Sequence, residues 1–495
     1  MTVPVEVAAP SPKQQTRRGV ESLLLVVAWA IGVAGYVITH LNRDGQLPPG
    51  WWVGPAIWAG IVVVAHVGVR WRAPYADPVI LPCVVALSGI GLAMQHRLDL
   101  ANETNVATVQ MAGLGIGVAA FVAVLVTLRD YRVLQRFTYL LFIAGIVLLL
   151  LPLVPGIGLS VNGSRIWIDV FGYTFQPAEI AKIVLTCAFA SYLSDRSEVL
   201  AAAGRKLGPV TLPRLRDVVP IFIMWAAGVI VLVFQNDLGP ALLFFGIFVM
   251  MLYVATDQVG WVVGGLLAFA GAAWVVFRFA GHVQVRVDSW LHPFDNMAQN
   301  GQIIEGQFGL AWGGLFGRGW GLGSPTRIPL VSTDFISAAI GEELGVVGLV
   351  AVIVLYALIV ARGLKTALMT RDSFGKLLTA GFSFVVVLQV TAIVGGVTRL
   401  LPLTGLTTPF LSRGGSSLLA NWLIMALLMA VSNQARRPVV QFEPFVDLDA
   451  DATTTIDISG LEGGVGPRVT GTSTPIDPVD DNTVRLTVPR GGGTP

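Results

Sequence analysis

The sequence predicts an all-α fold, a polytopic transmembrane helical bundle of about twelve spans with a large extracellular loop. Three observations carry this. Hydrophobic residues make up 54% of the chain and charged residues only 13%, far from a soluble average. Mean hydropathy is +0.73. Apolar runs of the roughly 17–25 residues that cross a bilayer recur near 21–40, 51–69, 78–95, 106–127, 137–158, 177–194, 218–234, 238–255, 260–279, 343–361, 378–398 and 416–433.

The first run is too long for a cleavable signal peptide and is flanked like a signal anchor. Trp51, Trp52 and Trp261 stand at span ends, where an interfacial aromatic belt forms. The runs near 218–234 and 238–255 are separated only by Gln235-Asn236-Asp237, which requires a tight turn. Residues 1–20 are polar and Pro-containing, and 437–495 is rich in Thr, Asp, Gly and Pro with few aromatics. Both compositions predict disorder, because too little apolar surface is available to offset chain entropy. The remainder, 21–436, reads as one membrane domain with a large outer loop at 280–342.

Loop charges orient the bundle. Lys13, Arg17 and Arg18 precede the first span. Arg70, Arg72, Arg129, Arg132 and Arg136 fill the second and fourth loops, and Arg196, Arg205, Lys206, Arg214 and Arg216 the sixth. Odd-numbered loops are poorer in Lys and Arg. Both termini are therefore expected in the cytoplasm of a multi-pass protein of the cytoplasmic membrane, with 162–176, 280–342 and 399–415 outside.

Several chemistries lack support. Cys83 and Cys187 fall inside spans, which argues against a disulfide framework or zinc site. His40, His66, His96, His282 and His292 are scattered, with no pair at metal-ligand helix spacing. No G-x-S-x-G elbow is present. A net charge of +2 spread over loops gives no nucleic-acid signature.

Three segments carry chemistry. The first is N-G-S-R-I-W-I-D-V-F-G-Y-T-F-Q-P-A-E-I-A-K, Asn162 to Lys182. Pro177 suits the first helical position, and Glu179 and Lys182 then share one helix face. A charge near mid-bilayer costs roughly 2.5–3.5 kcal/mol on insertion scales, so the pair should face a polar cavity and not lipid. The second segment is the 280–342 loop. It holds Gln302, the Gly-rich run from Gly313 to Gly323, and S-T-D-F-I-S-A-A-I-G-E-E-L-G from Ser332 to Gly345. Thr333 or Asp334 could cap the helix that follows, or Asp334 could act chemically. Glu342 and Glu343 suit an interfacial helix start. The Gly-rich run permits close backbone packing or a flap.

The third segment runs from Gly396 to Ser417 and is broken by Pro and Gly, too irregular for a lipid-facing helix. Arg399, Arg413, Ser416 and Ser417 there would suit a phosphate or diphosphate. The alternative is interfacial snorkelling by the arginines and an N-cap from Ser416.

Together these motifs resemble the SEDS (FtsW/RodA/SpoVE) family of cell-wall polymerases. The family pattern N-G-x-R-x-W-I, then F-Q-P-x-E-x-x-K, is met by Asn162, Gly163, Arg165, Trp167 and Ile168, and by Phe175, Gln176, Pro177, Glu179 and Lys182. T-D-F-I and G-E-E-L-G are met at Thr333–Ile336 and Gly341–Gly345, and P-x-x-S-x-G-G-S-S at Pro409 and Ser412–Ser417. The resemblance covers roughly 130–436. G-V-T-R-L-L-P-L-T-G-L-T-T-P and His96-Arg97-Leu98-Asp99-Leu100 are similar to the elongation branch of actinobacteria. Departures are Asn236 in a Q-P-D-L-G motif, Ala311-Trp312 in G-S-G-G, and Arg413 where Tyr is usual. Two spans near the N-terminus are additional to the usual ten.

The resemblance implies a peptidoglycan glycosyltransferase. Such enzymes polymerise lipid II, a disaccharide-pentapeptide on undecaprenyl diphosphate, at the outer membrane face, inverting the anomeric carbon. Asp334 is the expected general base or, alternatively, a ligand to a divalent cation, Mg or Mn. Arg165, Arg399 and Arg413 are expected to bear on the diphosphate. Glu179, Lys182, Gln302, Ser416 and Ser417 complete the substrate site. The implied partners are a class B penicillin-binding protein transpeptidase and the elongation machinery. A division-type polymerase, a lipid II flippase and a recruiting scaffold are the competing readings. Clustering of the motif charges at the outer side disfavours a flippase, since transporters place sites near mid-membrane between inverted repeats.

Overall fold

The computed structural model describes residues 16–161, 164–170, 172–202, 205–207, 210–212, 215–235 and 237–438, and three short strands beyond them. Helices α1 (Arg18–Asp44), α2 (Val53–Arg72), α3 (Ile80–Asn102) and α4 (Val106–Thr127) come first. A 3₁₀ turn leads into α5 (Thr138–Leu150). This helix is shorter than its apolar run because Pro152 follows in a second 3₁₀ turn, where a helix interior would lose a hydrogen bond. Strands β1 (Gly158–Val161), β2 (Ser164–Val170) and β3 (Tyr173–Phe175) form an antiparallel sheet in that order. The sequence analysis did not predict this sheet.

Next come α6 (Pro177–Ala202), a hairpin of β4 (Arg205–Leu207) and β5 (Val210–Leu212), α7 (Leu215–Phe234), α8 (Leu238–Thr256) and α9 (Gly260–Phe279). The expected tight turn joins α7 to α8. The chain ends its helical part with α10 (Gly281–Leu291), α11 (Met297–Gly313), α12 (Ile336–Met369), α13 (Ser373–Val397) and α14 (Gly415–Arg436).

Each predicted apolar run contains a helix, the 137–158 run leaving α5 for a 3₁₀ turn and the start of β1. Among the described residues, 10 helices are long and apolar enough to cross a membrane. The other two runs fall on α6, which opens with Glu179 and Lys182, and on α7, whose apolar described stretch is Trp225–Phe234. The 280–342 segment, expected as one large outer loop, is largely helical. It is built from α10, α11, two 3₁₀ turns and the first turns of α12.

Burial separates centre from rim. The most apolar windows of α3, α13 and α14 are 83%, 78% and 78% buried, whereas that of α9 is 0% buried. Small residues let the central backbones approach, as in membrane helix packing generally. A Cβ on Gly91 of α3 would lie 2.7 Å from Leu411 Cα, so the 399–414 segment is pressed directly onto α3.

Contacts divide the chain into the unit Gln15–Arg436 and a second unit holding both termini. The segments expected to be disordered, 1–20 and 437–495, lie mostly outside the described residues. Their described parts are the start of α1 and an antiparallel sheet of β6 (Thr454–Asp457), β7 (Arg468–Gly471) and β8 (Thr483–Leu486), in the order β7-β6-β8.

Candidate active site

Pro177 is the first residue of α6, as predicted, and Glu179 and Lys182 follow on one face. Lys182 Nζ donates to Glu179 Oε2 at 2.7 Å and to Gln389 Oε1 of α13 at 3.1 Å. Glu179 is 7% exposed and Lys182 2%, so the pair faces the protein interior and not lipid. Gln389 Nε2 passes the connection on, donating to the Thr407 carbonyl at 2.9 Å. Thr407 Oγ1 donates to Ser417 Oγ at 2.9 Å, and Asn421 Nδ2 donates to the same oxygen at 3.2 Å. One polar chain thus runs from the α6 ion pair to the first turn of α14.

The residues leading into Asp334 are bonded to the same 399–414 segment. The Arg413 N–H donates to the Ser332 carbonyl at 2.8 Å, and Gln95 Nε2 of α3 donates to that carbonyl at 2.8 Å. Ser412 Oγ donates to the Thr333 carbonyl and accepts the Thr408 N–H at 2.9 Å. These bonds fix the backbone at the two residues that precede Asp334. The capping reading fails: α12 has no side-chain cap, and Thr333 Oγ1 turns back to the Leu330 carbonyl at 3.0 Å. Asp334 is half-buried. Burial pushes its carboxyl up to about 6, against the opposing pull of the Thr333 hydroxyl and the Arg286 charge.

Arg286, on α10, supplies the cation. Its Nη1 donates to the carbonyls of Leu403 and Thr404 at 3.3 and 3.4 Å. Its charge acts on Asp334 and also on Asp237, at the start of α8. Burial raises the Asp237 carboxyl to about 7; Arg286 lowers it and Glu179 raises it. Asp237 Oδ2 is buried without a hydrogen-bond partner. Asp334, Arg286, Asp237, Glu179 and Lys182 are therefore one electrostatic cluster drawn from four places in the fold: α6, α10 and the starts of α8 and α12.

The Gly-rich run packs against the part of α12 that follows Asp334. Gly345 breaks α12 with φ 69°, a left-handed conformation that favours glycine. The run docks into the break: the N–H groups of Val346 and Val347 donate to Gly314 and Leu315 at 3.0 and 3.1 Å. Glu342 and Glu343 do not form the expected interfacial helix start: α12 begins at Ile336, and the two side chains are 1% and 0% exposed. Glu342 Oε1 accepts the Ser324 N–H at 2.6 Å and Glu343 Oε2 that of Gly321 at 2.8 Å. Arg97 Nε of α3 donates to Glu343 Oε1 at 3.1 Å. Their partners are distant in sequence, which is why local pattern placed them at an interface. Close packing, not a flap, is what the glycines provide.

The other predicted site residues distribute unevenly. Gln302 of α11 has a buried Nε2 without a partner. Arg399 is at φ 59° and spends one guanidinium arm on the Trp290 carbonyl at 2.9 Å, anchoring α10. Arg413 is exposed beside Ser332, Ser416 and Ser417 are buried in the first turn of α14, and Arg165 is exposed on β2. Because α14 begins at Gly415, Ser416 does not cap it from outside. Among the described residues no group of three or more His, Cys, Asp or Glu side chains converges as a metal site.

The FtsW/RodA/SpoVE cell cycle protein family matches residues 78–437, a range that contains every residue of this cluster. The chain belongs to that family. It is 44% identical over 450 residues to the peptidoglycan glycosyltransferase RodA of Mycobacterium tuberculosis (strain ATCC 25618 / H37Rv), covering 89% of this chain and 95% of the relative. It is 35% identical over 327 residues to the probable peptidoglycan glycosyltransferase FtsW of Geobacter sp. (strain M18), covering 65% and 84%. A solved chain from a peptidoglycan synthase complex, described as coordinating polymerisation and crosslinking, superposes with TM-score 0.55 at 27% identity, covering 78% of this chain and 98% of that one. As a FtsW/RodA/SpoVE protein the chain is an integral membrane protein, with α1 and α2 lying ahead of the matched region.

Sequence reasoning missed Arg286, Asp237, Gln389 and Arg97 as members of the site. Gln389 was visible as a polar residue within an apolar run, whereas Arg97, Asp237 and Arg286 stand among other polar residues. Only the fold reveals that Arg286 and Asp237 converge on the Asp334 and Glu179 carboxyls.

Proposed function

We propose that this chain is a peptidoglycan glycosyltransferase that polymerises lipid II at the outer face of the cytoplasmic membrane during cell elongation. The observation that carries this reading is a half-buried Asp334 carboxyl, poised near 6 and shared with Arg286, in a chain so similar to enzymes named for this activity. An effective general base has a pKa near the working pH. Asp334 accepts the proton of the attacking sugar hydroxyl while its oxygen bonds to the anomeric carbon of the second lipid II. The bond to the diphosphate oxygen breaks with its electron pair, inverting the carbon and releasing undecaprenyl diphosphate.

That leaving group needs cations more than an acid. Arg286 and the exposed Arg413 neutralise developing charge, the electrostatic contribution that is usually largest in catalysis. Gln302 donates its free amide to substrate oxygens. Glu179 and Lys182 form a breakable pair: a diphosphate or sugar oxygen replacing one partner avoids stranding the other in the interior. A resident metal caged by protein does not fit the donor set. Magnesium or manganese would bind through one or two carboxylates and the substrate's own phosphates, with Asp334 as the protein ligand.

The greater similarity to RodA than to FtsW relatives supports elongation over division. The similarity to a synthase complex supports a class B penicillin-binding transpeptidase as partner. Loop charges support cytoplasmic termini. The test is to incubate purified chain with labelled lipid II, with and without the transpeptidase and with a chelator arm. Glycan longer than the disaccharide is expected. Lipid II carried across vesicles without polymer formation would instead identify a flippase.

A further inference from the structure

A cavity of about 540 Å³ lies between α1, α2, α3 and α4, apart from the Asp334 cluster. Its size is that of a small-molecule site, typically about 300–1,000 Å³. Two of its four walls, α1 and α2, stand outside the family-matched region. Its walls are apolar and small. The close approach of Gly32 to Gly89, where an added Cβ would lie 2.8 Å from the opposite Cα, seals α1 against α3 beside it. Exposed Ile57 of α2 and Ala112 of α4 also line it, so the cavity reaches the membrane-facing perimeter between those helices.

One end is polar. Tyr36, His96 and Thr108 line it, and Thr108 stands in the first turn of α4. The Tyr36 and Thr108 hydroxyls have no hydrogen-bond partner among the described residues. The His96 ring stacks on Tyr36 with centroids 4.4 Å apart. His96 Nε2 is engaged by His40 Nε2 at 3.0 Å, and His40 Nδ1 faces Asp44 at 3.3 Å, which leaves His96 Nδ1 free. From His96 to Gly89 the cavity follows α3 for about 10 Å at 1.5 Å per residue. The Trp58 indole, 2% exposed, also lines it, and its N–H has no partner.

We infer that this cavity binds one acyl chain of a glycerophospholipid, with the phosphate and ester oxygens accepting hydrogen bonds from Tyr36 and Thr108. A lateral mouth in the membrane admits a lipid rather than a water-soluble ligand. Hydroxyl donors at the level of a helix start meet the glycerol backbone, where acceptor oxygens are concentrated. The site adjoins the machinery: Trp320 of the Gly-rich run donates to Thr39 Oγ1 at 2.8 Å, and Asn42 Nδ2 donates to the Trp320 carbonyl at 2.7 Å. Lipid held against Tyr36 braces α1 and, through it, the run that leads to Asp334.

The test uses the full chain in phosphatidylglycerol–phosphatidylethanolamine vesicles with trace phosphatidylglycerol bearing an acyl diazirine. After irradiation, cross-links should concentrate on residues 54–61 and 107–115 over the fully lipid-exposed α9. Ala112→Trp should reduce them to the α9 background. Tyr36→Phe with Thr108→Val, which keeps the walls intact, should weaken retention by about tenfold or more, as for two lost hydrogen bonds. Unchanged labelling in both variants, or labelling of α9 equal to that of 54–61, would overturn the assignment. So would displacement by equimolar undecaprenyl phosphate, which would make this a site for a polyprenyl lipid instead.

Discussion

Glu179 and Lys182 show how the worth of a buried charge depends on its partner. Removing one member of a buried pair typically costs about 3–5 kcal/mol, whereas replacing both with apolar residues is often neutral. Glu179→Ala should therefore destabilise the chain by about that amount in thermal or denaturant unfolding, because Lys182 keeps only Gln389. Glu179→Leu with Lys182→Met should recover most of the stability yet remain inactive on lipid II. Recovery of activity along with stability would make the pair purely structural. Asp334 gives a second residue-scale prediction. Its folded pKa of about 6 means the carboxylate form is lost as pH falls through that value. kcat/KM should fall on the acid side with a midpoint near 6 and be flat above it. Arg286 lowers that pKa, so Arg286→Gln should move the midpoint to higher pH. Asp237→Asn should leave it in place; disappearance of the limb in that variant would assign the titration to Asp237.

At the scale of elements, the break in α12 is the decisive device. An added Cβ at Gly345 would lie 2.3 Å from Gly317 N, and the residue is in a left-handed conformation. Gly345→Ala should undock the Gly-rich run and reduce polymerisation while the spanning helices remain inserted, seen as protease sensitivity within 313–335. Unaltered protease resistance and activity would show that the docking is dispensable. The helices themselves were legible in sequence because a bilayer demands long apolar runs, and each run became a helix. The helices of 280–342 were not, because α10 mixes charge with apolar residues and α11 is interrupted by Gly301, Gly306 and Gly309. The β1–β3 sheet escaped for a similar reason: its strands are short and stabilised by one another, not by a shared apolar face. Within the site, Asp334, Glu179 and Lys182 could be picked out from motif and membrane cost. Arg286 could not, since its role rests on where α10 folds relative to the 399–414 segment.

At the scale of the whole molecule, the motif residues gather because three stretches far apart in sequence share one central support, the buried helices α3, α13 and α14. The cluster lies within the family-matched range, 78–437, and draws no residue from α1 or α2. Loop charge predicts the sidedness: a cysteine introduced at exposed Arg413 should react with an impermeant maleimide added outside intact cells, and one introduced at Arg371 should not. The opposite pattern would invert the bundle and place the cluster on the cytoplasmic side. The most direct measurement is glycan synthesis from lipid II by Asp334→Asn beside the unaltered chain, both purified and matched for thermal midpoint. The account predicts a folded variant that makes no polymer at any pH. Polymer at the normal rate from that variant would contradict it.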